Sequence, residues 1–249
     1  MADTKNSDSV VIIPTYNEKE NIEKILHAVL GLEHQFDILV IDDNSPDGTA
    51  TIVESLIDEN PGRIHILKRA GKLGLGTAYI AGFKWALQHG YEYIIEMDAD
   101  FSHNPNDLIP LRAACAEEGA DMSVGSRYIT GVNVVNWPMG RVLMSYYASA
   151  YVRIVTGMKV RDTTAGFVCY TKKVLETIQL DKIRFKGYAF QIEMKFTAHK
   201  YGFNIKEVPI IFVNRVLGTS KMNSGIFGEA VFGVIKLKVD SWFKKYNRP

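Results

Sequence analysis

Five short runs rich in β-branched and other apolar residues recur along the first half of this chain, with longer helical patterns between them. They are Val10 to Ile13, Ile38 to Ile41, Ile64 to Leu67, Tyr93 to Met97 and Met122 to Val124. Near-continuous apolar strands that alternate with helices are covered on both faces, which selects a mainly parallel central sheet with flanking helices and right-handed crossovers. In such α/β sheets ligands bind outside the carboxyl ends of the strands. The chemistry of this chain is therefore expected in the loops that follow the apolar runs.

Those loops are polar and specific. After the first run stands Pro14-Thr15-Tyr16-Asn17-Glu18, where a dinucleotide fold would carry its glycine fingerprint, which argues against a nicotinamide dehydrogenase. After the second comes Asp42-Asp43-Asn44-Ser45-Pro46-Asp47-Gly48-Thr49; a turn followed by a helix cap explains most of it, but paired aspartates exceed what a turn requires. Gly71-Lys72-Leu73-Gly74-Leu75-Gly76-Thr77 follows the third run and opens a helix expected over Ala78 to His89. Its glycines fit either close backbone approach to a phosphate or a flexible turn, and no Walker lysine pattern is present. The fourth run ends in Asp98-Ala99-Asp100. Two carboxylates one residue apart at a strand end can lean toward one Mg²⁺ or Mn²⁺ shared with a diphosphate. The tripeptide alone equally fits a polar loop that caps the next helix.

The 249 residues suit one large domain, and a formal charge of +1 excludes a global electrostatic partner such as nucleic acid. Cys115 and Cys169 lack metal-ligand spacing and read as small buried residues in a reducing compartment. The polar start Met1 to Ser9 has no apolar signal core, and the longest uncharged stretch, Val142 to Val152, is too short to span a bilayer. Beyond Gly125-Ser126-Arg127-Tyr128 the alternation loosens into Trp137-Pro138-Met139-Gly140-Arg141, an aromatic helix around Tyr146, Tyr147 and Tyr151, and Asp162 to Phe167. This half is expected to elaborate the acceptor side of the same domain.

The ordered set of loops resembles the polyprenyl-phosphate sugar synthases, and most of all the dolichyl-phosphate mannose synthase branch of glycosyltransferase family 2. Phe190-Gln191-Ile192-Glu193-Met194, Glu207-Val208-Pro209, and Arg215 followed by Gly218-Thr219-Ser220-Lys221 extend the resemblance, which covers roughly Val10 to Met222. It implies a GT-A fold, a Rossmann-like nucleotide-binding α/β architecture, over residues 1–222. It also implies inverting transfer of mannose from GDP-mannose to a polyprenyl phosphate of the dolichyl type. Carried over residue by residue, the resemblance implies that Pro14, Tyr16, Glu18, Ile41 and Asp43 hold the guanosine, with Ala99 against the nucleotide. Asp98 and Asp100 would bind Mg²⁺ or Mn²⁺; some relatives use a Gln two residues after the second Asp, where this chain has Ser102 as a possible third ligand. Arg127, Arg215 and Lys221 would bring the two anions together, and Arg141 with Ser145 would line the acceptor phosphate.

A lipid phosphate whose second pKa lies near ~6, as in phosphoserine, arrives ionised, so no protein general base is required. The aspartates are then expected to manage leaving-group charge. The segment around Gly218 and Ser220 is expected to close over bound nucleotide. The last segment, Ile226 to Lys245 within a C-terminal piece 223–249, places Phe227, Val231, Val234, Ile235, Trp242 and Phe243 on a broad helical face beside Lys236, Lys238, Lys244 and Lys245. Such a helix fits a bilayer interface or packing on the core. The expected partners are thus a membrane surface or a small membrane-anchoring subunit, with the enzyme peripheral on the cytoplasmic face. A UDP-sugar donor with the same mechanism, and a nonenzymatic membrane-associated scaffold, are the alternative readings. An aspartate-nucleophile phosphatase is disfavoured because its acidic motif belongs at the first strand.

Overall fold

The computed structural model describes residues 7–187, 189–215 and 225–246. The alternation is present as β1 (Ser9–Thr15), α1 (Ile22–Leu30), β2 (Asp37–Asp42), α2 (Thr49–Glu59), β3 (Ile64–Lys68), α3 (Leu75–Gln88), β4 (Tyr93–Glu96), α4 (Leu108–Ala116) and β5 (Met122–Ser126). The second half adds β6 (Val134–Val135), α5 (Met139–Thr156), β7 (Val168–Thr171), α6 (Lys172–Thr177), α7 (Ala189–Lys200), β8 (Ile205–Pro209), β9 (Phe212–Val213) and α8 (Gly225–Phe243).

Seven strands form one sheet in the order β3-β2-β1-β4-β7-β5-β8. Strands β3, β2, β1 and β4 are mutually parallel, and β5 is parallel to β8. Between them β7 runs antiparallel to both β4 and β5. That inserted strand was not expected, because Val168 to Thr171 is too short to announce itself by period. Strands β6 and β9 form a separate two-stranded pair.

Side-chain alternation sorts the core into two layers. Val11, Ile13, Ile38, Val40 and Ile95 face α1, α2 and α4, whereas Val10, Ile12, Leu39, Ile41 and Ile94 face α3, α6 and α7. Each fully buried aliphatic side chain contributes roughly 1.5–3 kcal/mol. Helix α3 can press onto β1 only because Gly82 lacks a side chain: a Cβ there would lie 2.8 Å from Ile12 Cγ2. A third cluster of Val152, Met158, Ile192, Phe196, Val234 and Leu237 ties α5, α7 and α8 together. Cys115 and Cys169 are buried free thiols.

Strand β1 has β2 on one side and β4 on the other, so the chain switches direction at this point of the sheet. Loops leaving a switch point diverge and open a crevice at the carboxyl ends of the strands. The β1, β2 and β4 loops, which carry the polar motifs, all lie there.

Candidate active site

Three of these loops turn through left-handed backbone at a residue other than glycine: Asn17 (φ 55°), Asn44 (φ 58°) and Phe101 (φ 58°). Asparagine tolerates this region, but a phenylalanine there is strained, and such strain concentrates at functional sites. The turn at Phe101 folds Ser102 back on the acidic pair. Both the Ser102 backbone N–H (3.0 Å) and its hydroxyl (2.6 Å) donate to Asp100 Oδ1. Asp100 Oδ2 is met by Arg215 Nη2 at 2.9 Å. The structure thereby brings together Ser102, Asp100 and Arg215.

Asp98 is half-buried on the adjoining turn. Burial, and then the neighbouring charge of Asp100, push its carboxyl up to about 7 despite the pull of Arg215. A carboxyl raised in this way beside a second carboxylate marks a place where added positive charge is favoured. Among the described residues no three His, Cys, Asp or Glu side chains gather at one point. A hard cation here would take the two aspartates and fill its other positions with phosphate or water oxygens, which is how Mg²⁺ and Mn²⁺ are usually held. The donor set fits such an ion.

His103 supports this loop without joining it chemically. Its Nδ1 accepts the Asp98 backbone N–H at 3.2 Å, and its ring stacks on Phe167 at 4.6 Å. Burial drives its pKa down to about 4, so it is a neutral structural imidazole.

The loops after β1 and β2 are zipped together. Asn17 N–H donates to Ser45 Oγ, Glu18 N–H to Thr49 Oγ1, and Lys19 N–H to Asp47 Oδ2, at 3.0–3.1 Å. Pro14 pairs in register with the buried Ile41. Tyr16 lies in this loop with Lys72 Nζ 5.3 Å from its ring centre. Asp43 accepts both arms of the Arg69 fork, at 2.6 and 2.7 Å, and Arg69 also donates to Thr77 Oγ1 at 2.8 Å. The sequence reading missed Arg69; its place one residue past β3 was the available signal.

Within the glycine loop, Gly76 is a packing residue. Gly76 N–H donates to Lys186 O at 2.8 Å, and a Cβ on Gly76 would sit 2.7 Å from the Phe190 ring. Its backbone donor is committed to the protein, which argues against this residue as a phosphate contact.

Arg127 is placed differently from a free phosphate-binding cation. Its Nε and Nη2 form a buried fork with Asp162 at 2.7 Å each, and Nη2 also reaches Thr164 Oγ1 at 2.9 Å. Burial would raise the Asp162 carboxyl, but the Arg127 charge and hydrogen bonds outweigh it and hold that carboxyl below the usual range. The rings of Tyr128, Trp137 and Phe212 surround the guanidinium at 5.2–5.5 Å. Glu207 anchors the loop by accepting the Arg161 and Asp162 N–H groups. The sequence reading assigned no role to Asp162 or Glu207.

Arg141, at the start of α5, stacks on Trp137 at 4.0 Å and donates to Asn214 Oδ1 at 3.0 Å. Ser145, one turn on, accepts the Tyr128 hydroxyl at 2.7 Å. Both lie on the helix that flanks the Arg127 cluster. Beneath the site Lys195, in α7, donates to Ala165 O at 2.6 Å and to Gln191, whose amide donates to Glu96 at 2.5 Å. Lys221, with Gly218 and Ser220, lies outside the described residues.

Helix α8 corrects part of the expected apolar face. Val234 is buried against α5 and α7, whereas Phe232, Ile235, Val239, Trp242 and Phe243 point outward and are exposed. The side chains of Phe227 and Val231 lie outside the described residues. Among the described residues no helix is long and apolar enough to cross a membrane.

Residues 10–179 match the sequence pattern of glycosyl transferase family 2. The chain is 46% identical over 226 residues to a polyprenol monophosphomannose synthase of Mycolicibacterium smegmatis, covering 91% of this chain and 85% of the relative. It is likewise 46% identical over 227 residues to an undecaprenyl-phosphate mannosyltransferase of Micrococcus luteus, covering 91% and 92%. Among solved structures, glucosyl-3-phosphoglycerate synthase of Mycobacterium tuberculosis, in complex with Mn²⁺ and UDP, superposes with a TM-score of 0.66 at 17% identity. That match covers 95% of this chain and 80% of the other. A mannosyltransferase of Pyrobaculum calidifontis in complex with GDP-Man and Mn²⁺ gives 0.59 at 17% identity, covering 99% and 67%. These structures share the GT-A fold.

Proposed function

This chain belongs to glycosyl transferase family 2, and from that premise we propose that it transfers mannose from GDP-mannose to a polyprenyl phosphate, with inversion, giving the lipid-linked mannose and GDP. The observation that carries the reading is the Asp98, Asp100 and Arg215 cluster at the switch point of the sheet.

Asp98 and Asp100 hold the divalent cation, Mg²⁺ or Mn²⁺, with Ser102 orienting Asp100 through its two hydrogen bonds. When bound, that ion supplies positive charge against the departing diphosphate. Arg215 adds a fixed cation at the same carboxylate, and Lys221 completes this set as the family resemblance implies. Pro14, Tyr16, Glu18, Ile41, Asp43 and Ala99 form the guanosine pocket, with Arg69 fixing the plane of the Asp43 carboxylate. The acceptor phosphate approaches along α5, where Arg141 and Ser145 bind it and Arg127 orders the surrounding wall through Asp162. Its own ionised oxygen attacks the anomeric carbon, so no side chain of this chain needs to remove a proton.

A long lipid acceptor requires access to a bilayer. The outward Phe232, Ile235, Trp242 and Phe243 of α8, with Lys236, Lys244 and Lys245 nearby, fit peripheral attachment to the cytoplasmic membrane face. A small membrane-anchoring subunit on this face is the second arrangement that its exposed aromatics support.

A donor panel of GDP-mannose, UDP-glucose and UDP-GlcNAc with a polyprenyl phosphate tests the reading, run with Mg²⁺, Mn²⁺ and EDTA. Lipid-linked mannose formed from GDP-mannose and abolished by EDTA is the expected outcome. Product from a UDP-sugar alone would overturn the mannose assignment, and no product with any donor would favour the scaffold reading.

A further inference from the structure

Helix α5, the loop that follows it and the loop after β5 line a partly open cavity of about 130 Å³ that the transfer chemistry leaves unused. Tyr128, Tyr146, Arg153 and Arg161 line it. Tyr146 stands edge-on to Tyr128 at 5.5 Å, and the Tyr128 hydroxyl is already committed to Ser145. The polar interior is therefore supplied by the two arginines. Arg153 Nε is buried without a hydrogen-bond partner, and Arg161 donates through Nη1 to Ile129 O at 3.2 Å.

The neighbouring carboxylates have other work. Glu207 accepts the backbone N–H groups of Arg161 and Asp162, and Asp162 is forked by Arg127. A buried guanidinium N–H without an acceptor is costly, and an anion entering the cavity removes that cost. The planar arginine fork suits phosphate oxygens, and the volume admits a headgroup and not a whole lipid. Leu143, Tyr147 and Ile154 recur at i, i+4 and i+11 on the adjoining stripe of α5, and Ile154 is 83% exposed. An anionic cavity ligand and an exposed apolar stripe on one helix match the two halves of an amphiphile.

We propose that this cavity binds the phosphate ester of an anionic membrane phospholipid, whose acyl chains lie along the apolar stripe of α5. Neither Arg141 nor Ser145 lines this cavity, although the Tyr128 hydroxyl links its wall to Ser145, and the proposal does not rest on the sugar or nucleotide assignment. It would hold α5, and with it the acceptor side of the active site, at a fixed depth in an acidic leaflet.

Calorimetric titration of the full chain with dihexanoyl phosphatidylglycerol, dihexanoyl phosphatidylcholine and inorganic phosphate tests the proposal. The expected result is saturable binding of the phosphatidylglycerol alone, weakened at least about tenfold in the Arg153→Gln, Arg161→Gln double variant. Flotation on phosphatidylglycerol vesicles free of polyprenyl phosphate should fall in parallel, whereas a Lys19→Gln, Lys24→Gln double variant of equal charge change should float as the parent does. Inorganic phosphate binding as tightly as the phospholipid would overturn the amphiphile assignment. Displacement of phosphatidylglycerol by equimolar farnesyl phosphate would assign the cavity to the acceptor and overturn it as well. Equal binding by parent and double variant would remove the arginines from any such role, and if the double variant does not fold, the three titrations of the parent still decide.

Discussion

Arg215 Nη2 lies 2.9 Å from Asp100 Oδ2, so one member of the acidic pair carries a counter-charge before any ligand arrives. The same guanidinium opposes the upward push on the Asp98 carboxyl that burial and Asp100 exert. Under the proposed function a divalent cation would meet Arg215 at the same carboxylate, and a bound diphosphate would balance both positive charges.

Replacing Arg215 by Ala separates these roles. Turnover is expected to fall about 100-fold, as for loss of one preorganised charge at a leaving group. Mn²⁺ affinity in the absence of nucleotide should hold or tighten, because a competing cation is gone. Steady-state kinetics and a paramagnetic Mn²⁺ titration read the two effects, and unchanged turnover would remove Arg215 from the reacting set.

The Arg127 and Asp162 pair is expected to matter for stability before chemistry. Both side chains are nearly or fully buried, so Asp162→Ala strands a guanidinium and should cost about 3–5 kcal/mol. A double variant, Arg127→Met with Asp162→Leu, should recover much of that loss. Urea unfolding checks both, and an Asp162→Ala protein as stable as the parent would show that Arg127 finds compensation elsewhere.

Lys195 gives a pH signature. Burial lowers its pKa from 10.5 to about 8, so between those values the unfolded chain binds more protons than the folded one. The contribution of this group is fully present above about 10.5 and is lost as pH falls through about 8. A difference of that size corresponds to about 3 kcal/mol. Relative to Lys195→Met, the parent should therefore gain stability from pH 8 toward pH 10.5 in denaturant titrations. Parallel curves for the two proteins would mean that Lys195 stays charged in the fold.

Trp242 and Phe243, 67% and 84% exposed on α8, are expected to serve binding and not folding. Changing both to Ser should leave unfolding free energy within about 0.5 kcal/mol and reduce vesicle flotation severalfold. A loss of stability without loss of flotation would instead show that these residues pack on the protein.

The strands β1 to β5 were legible because each is a local apolar run bounded by turn chemistry; α3 was expected over Ala78 to His89 and begins three residues earlier, at Leu75, inside the glycine loop. The short β7 was not, since four residues carry too little pattern to reveal an antiparallel insertion between β4 and β5. Asp98, Asp100 and Ser102 were legible as a cluster because they are neighbours in the chain. The broad apolar face of α8 was left open between a bilayer interface and the core, because helical period alone cannot say that Val234 meets α5 and α7 while Ile235 and Trp242 face outward.

By itself the amino-acid sequence determined the strand and helix order, the polar loops at the strand ends and the acidic pair, all properties of residues close in the chain. Only the tertiary structure decided the counter-ions: Arg69 for Asp43, Asp162 for Arg127 and Arg215 for Asp100. Arg127 and Asp162 are 35 positions apart, and nothing in either segment encodes the other. Coulombic pairing acts over a few ångströms of space, and which side chains come that close is set by the order in which the sheet lays its strands side by side.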